Sequence, residues 1–98
     1  MGTEVWRYEV RPLTSQEIRM PKGAVPLHVA EHPAGEVSMW ALVDTRAERE
    51  MREFTVAGTG WQIVADGPRY VGTVPMRDGL VFHVFETTAP ASPTREEN

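Results

Sequence analysis

The chain has no cysteine, which removes disulfide frameworks, thiolate nucleophiles and Cys-ligated zinc from consideration. It also has no run of Lys and Arg, and its formal net charge is −4. General nucleic-acid binding needs clustered cations to neutralise phosphate, so that class is not expected. No apolar stretch approaches the roughly 18 residues of a membrane span. The opening "MGTEVWRYEV" has no basic segment followed by an apolar one, so no secretory leader and no membrane association are expected, and the default location is cytoplasmic. Neither a long helix-period pattern nor an internal repeat is visible.

What remains is 98 residues with 41% hydrophobic content, enough for one small domain. We expect a single β domain over residues 1–86. Residues 87–98 hold Pro90, Pro93, Ser, Thr and charges, with only Ala89 and Ala91 as apolar residues. Such a composition cannot offset the entropy of ordering, and a flexible C-terminal tail is expected there.

Alternation of apolar and polar residues dominates the body. "EVWRYEVR" puts Trp6, Tyr8 and Val10 on one side, and "QEIRMP" offers a shorter alternation through Ile18 and Met20. "VPLHVAEH" and "EVSMWALVD" flank Pro33-Ala34-Gly35, which reads as a hairpin loop closed by a glycine bulge. That register sets Met39 across from Val29 and Trp40 across from His28. One face becomes fully apolar (Val25, Leu27, Val29, Val37, Met39, Ala41, Val43), whereas the other carries His28, Trp40 and Leu42. "TRAERE" has Thr45 and Glu48 at capping-box spacing, and at most one short helical turn is expected near 45–53, serving as a solvated connection. "EFTVAG" and "WQIV" read as strand around the break "GTG", and "ADGP" as a loop.

The final hairpin is the most informative. A two-residue turn would place Pro75 in a hydrogen-bonded pair, where it lacks a donor. A loop Arg77-Asp78-Gly79 avoids this. It places Tyr70, Gly72, Val74, Met76, Leu80, Phe82 and Val84 on one face, with Val71, Thr73, Pro75, Val81, His83 and Phe85 on the other. His83 then lies directly across from Thr73, within reach of a side-chain hydrogen bond. The fold expected is all-β, a small antiparallel sandwich or open barrel of about seven strands.

Chemistry is harder to find. His28 and His32 are spaced for a metal on a helix, but on a strand their rings stand roughly 13 Å apart and cannot share an ion. No metal site and no cofactor are expected. "AGTGWQI" lacks the third glycine of a dinucleotide fingerprint and the Lys of a P-loop, so it is read as a tight turn. Ser15, Ser38 and Ser92 have no elbow motif around them. The weak catalytic candidate is His83 with Thr73, with Glu86 or Asp44 nearby; the alternative is a half-buried imidazole satisfied by Thr73. Of three tryptophans, Trp6 follows the core pattern, leaving Trp40 and Trp61 as contact candidates.

"MWALVD", "FTVAGTGWQI", "YVGTV" and "GLVFHVFE" together resemble a family of small uncharacterised proteins encoded by bacteria and their phages. The likeness runs from about Trp6 to Glu86. Its pattern is a W-A-L-V-D strand, a T-G turn followed by His or Trp, and a closing V-x-H-x-F-E strand, with Trp61 after the turn here. The resemblance supplies no reaction or cofactor, and it implies an accessory protein that acts by binding.

The expectation is therefore a non-enzymatic binding or interaction module, more plausible than an enzyme. A small hydrolase-like enzyme using His83 is the alternative, and a structural or assembly subunit the third reading. The expected contact residues are Trp40, Leu42, Trp61, Val71, His83 and Phe85. Because both hairpins carry a half-apolar second face and no helix exists to cover it, a homodimer is expected, with a protein or small-molecule ligand as the other occupant.

Overall fold

The computed structural model describes residues 2–12 and 15–88. Seven strands follow one another: β1 (Thr3–Val10), β2 (Gln16–Pro21), β3 (Val25–Glu31), β4 (Val37–Asp44), β5 (Arg49–Gly58), β6 (Asp66–Pro75) and β7 (Val81–Thr88). They form two antiparallel sheets, β1-β4-β3 and β2-β5-β7-β6. The sheets do not close into a barrel, and no helix occurs among the described residues. Of the two architectures expected, the sandwich is the one adopted.

The core lies between the sheets, where alternation delivers one apolar row per strand. Val37, Met39, Ala41 and Val43 come from β4, Phe54 and Val56 from β5, and Phe82 and Val84 from β7. Trp6, Tyr8 and Ile18 pack against this cluster from the strands at its margins. At one side β3 runs close to β6, and a Cβ on Gly72 would collide with the Val29 side chain. A glycine at this point allows the two sheets to meet.

Both hairpin registers agree with the loop chemistry. Val29 faces Met39 and His28 faces Trp40, while Thr73 faces His83 and Pro75 faces Val81. Gly35 and Gly79 take the left-handed backbone those loops require, with φ of 95° at each.

Several local expectations are corrected. A bulge falls between Pro26 and His28, so Pro26 rather than Leu27 sits opposite Ala41, and Val25 and Leu27 are each 51% exposed. A second irregularity between Tyr70 and Gly72 pairs Tyr70 with Phe85. This turns Tyr70 to the outer face and packs Val71 against the core, the reverse of the faces expected. No helical turn forms near 45–53, within the expected limit of at most one. The Arg46 amide instead donates to Asp44 Oδ1 at 3.0 Å and the Ala47 amide to the Asp44 carbonyl at 3.0 Å, closing a turn from which β5 departs at Arg49. A short polar helix nucleates poorly, and the same residues gain ladders with β2 on one side and β7 on the other. "WQIV" is not strand, and β6 begins at Asp66, inside the segment expected as a loop. Finally, β7 continues through Thr88 and Thr87 is buried, two residues past the boundary expected for the tail; residues 89–98 lie outside the described residues.

Candidate functional site

His83 sits near the middle of β7, between Thr73 of β6 and Ala57 of β5. Strand alternation sends Phe82 and Val84 into the core and His83 outward with Phe85. Ala57 is small and buried, so the ring has room to lie over β5. Two threonines grip it. Thr73 Oγ1 is 3.1 Å from Nδ1, and Thr59 Oγ1, just past the end of β5, is 2.8 Å from Nε2. The Tyr70 hydroxyl is 2.7 Å from Thr73 Oγ1, so a chain of hydrogen bonds runs Tyr70, Thr73, His83, Thr59. Each threonine hydroxyl can donate or accept, so both ring nitrogens have a partner whichever of them carries the proton.

Thr59 also links this row to a cleft. Gly58, Thr59, Trp61, Gly79, Leu80, Val81 and Phe82 line a hollow of about 280 Å³ at the end of the sandwich. The Trp61 indole lies on Gly58, where a Cβ would come within 2.8 Å of Nε1. It meets the Phe82 ring edge-on at 6.3 Å between centroids and remains 52% exposed. A second hollow of about 320 Å³ opens beside it, sharing Leu80 and Phe82 and bounded by Val10, Pro12, Val37 and Met76. On the sheet face below, Tyr70 and Phe85 pack edge-to-face at 5.8 Å, with Tyr70 63% exposed.

The expected contact residues thus divide. Trp61, His83 and Phe85 belong to the β2-β5-β7-β6 sheet and its rim. Trp40 and Leu42 lie on the outer face of the other sheet, where Trp40 stacks at a tilt on His28, with 6.2 Å between centroids. Val71 is partly buried and packs against the core. Thr59 and Tyr70 were not anticipated. The threonine follows a strand break that carries no chemical signature, and the tyrosine reaches the outer face only through the irregularity beside Val71.

The carboxylates considered for His83 are elsewhere. Glu86 points to the inner face and takes a forked pair of hydrogen bonds from Arg52, at 2.7 and 2.9 Å. Arg52 also donates to the Ala24 carbonyl at 2.7 Å. The hydrogen bond to Glu86 raises the Arg52 pKa above its ordinary value, so the guanidinium holds its proton more firmly. Asp44 caps its own turn in the other sheet. His28 and His32 do not converge, and no group of three or more His, Asp or Glu is arranged to hold a metal among the described residues. The chemistry available among the described residues is a hydroxyl held by an imidazole, without an anion against the ring.

A family model described as a domain of unknown function, DUF7352, matches residues 1–95. No curated protein matches the chain. No solved structure matches it either.

Proposed function

We propose that this chain, which belongs to the DUF7352 family, is a non-enzymatic binding module that receives an apolar side chain of a protein partner in the cleft beside Trp61. The observation that carries the reading is a half-exposed tryptophan packed on Gly58 over a hollow of about 280 Å³. Drug-sized ligands usually occupy roughly 300–1,000 Å³. The hollow suits one or two side chains better than a whole cofactor. The surrounding surface has the makeup of a contact region: Tyr70 and Phe85 supply aromatic area, and the Thr59-His83-Thr73 row supplies polar handles.

Amide NMR with indole and phenol as probes tests it. Shifts are expected to centre on Thr59, Trp61, Leu80 and Phe82 and to disappear in Trp61→Ala. Shifts spread evenly over both sheets, or centred on Trp40 and Leu42, would move the site elsewhere.

A second reading, a small hydrolase using His83, is favoured by the 2.8 Å contact between Thr59 Oγ1 and Nε2. It matches the spacing of a hydroxyl nucleophile and its general base, with Thr73 as the group that orients the ring. Among the described residues no carboxylate stands behind the imidazole to stabilise its charged form, which is why the reading is second. Hydrolysis of p-nitrophenyl acetate that is lost in both Thr59→Val and His83→Gln would reverse the order.

A further inference from the structure

We propose that the free edge of β1 pairs with the same strand of a second copy, joining two β1-β4-β3 sheets into one continuous sheet across a two-fold axis. The argument begins with the four strands at sheet edges, β1, β3, β2 and β6. An edge strand presents unpaired amides and carbonyls, and proteins blunt it with proline, bulges, shortness, a covering segment or charged side chains. β3 contains Pro26 and a bulge, and it is covered by the approach of β6. β2 is the shortest strand, and it ends on Pro21. β6 contains Pro68 and Pro75 and two register shifts.

Of these devices β1 has only charge. It runs from Thr3 to Val10 without proline, pairs with β4 in unbroken register, and has no partner on its other side among the described residues. What it carries instead is alternating charge: Arg7 and Glu9 point outward on the same face, and both are exposed.

That charge pattern selects the occupant. A two-fold axis perpendicular to the sheet pairs odd residues with odd and even with even. With the axis at Arg7 or Glu9, identical charges face each other. With the axis at Val5 or Trp6, neither charge meets an opposite one. With the axis at Tyr8, Arg7 of each copy lies across from Glu9 of the other, twice, and Trp6 lies across from Val10. Opposite charges on directly facing residues favour a strand pair, and like charges disfavour it. β1 is therefore complementary to itself in one register, overlapping residues 6–10. No β1 residue lines the Trp61 cleft, although Glu9 and Val10 border the neighbouring hollow, so the pairing is tested by strand association and not by occupancy of that cleft.

Sedimentation equilibrium of the full chain tests it. Wild type is expected to dimerise, while Arg7→Glu and Glu9→Arg should each weaken dimerisation about tenfold or more. The double variant Arg7→Glu/Glu9→Arg should recover the dimer. An equimolar mixture of the two single variants should form the heterodimer more tightly than either forms its own dimer, since every facing pair is then opposite in charge. Circular dichroism of each variant checks that the fold is kept, and the mixing experiment reads the interface even if one variant is less stable. A wild-type monomer at about 100 µM, or a dimer indifferent to both reversals, would overturn the proposal.

Discussion

Tyr8 illustrates how a single atom can oppose the fold that buries it. Its ring packs against the core from β1, yet its hydroxyl is buried with no hydrogen-bond partner among the described residues. Burial raises its pKa above 10.0, against the opposing pull of Arg49 and Arg52. A folded-state pKa above the unfolded one means the folded chain holds the proton more tightly. The associated stability is present below the unfolded value and is lost as pH rises through the folded one. Removing the hydroxyl should remove both effects. Tyr8→Phe is expected to be as stable as wild type or up to about 1 kcal/mol more so at neutral pH, and to lose less stability between pH 9 and 11. Urea titrations at the two ends of that range decide it; a variant that is clearly less stable at pH 7 would mean the hydroxyl has a partner.

At the scale of elements, turns were legible and irregularities were not. The registers of β3-β4 and β6-β7 follow from loop length and from one glycine each, because the turn fixes which residues face each other. The His83–Thr73 contact was readable for that reason. The bulges at Leu27 and beside Val71 have no such marker, and each turns the residues before it to the other face. This is how Val25 became exposed and how Tyr70 reached Thr73. The capping-box spacing at Thr45 starts no helix because β5 gains ladders on both sides, which outweighs a weak local helix preference. The role of Gly79 gives a direct test. Its φ is 95° and no atom crowds a Cβ built there, so a substitution there meets backbone strain alone. Gly79→Val should cost about 1 kcal/mol or more, and Gly79→Asn less, since asparagine tolerates the left-handed region. Equal urea midpoints for the three proteins would remove the left-handed loop from the account.

The whole molecule depends on how its two sheets are joined, and this was the least legible level. Composition and strand spacing implied two layers, but nothing local says that β2 leaves its neighbour β1 to pair with β5, or that β3 meets β6. The β3-β6 seam rests on a close approach of Val29 to Gly72, where an added Cβ has no room. Gly72→Ala should therefore be destabilising by about 1–3 kcal/mol through overpacking. Val29 is buried, so Val29→Ala alone should also be destabilising, by leaving a cavity. The two losses share one contact. In the double variant the alanine methyl at 72 occupies space vacated by the valine, and the combined loss should fall short of the sum by at least about 0.5 kcal/mol. A strictly additive pair in urea unfolding would mean that the sheets are held together elsewhere, by the core rows of β4, β5 and β7, and that Gly72 serves only the local bend of β6.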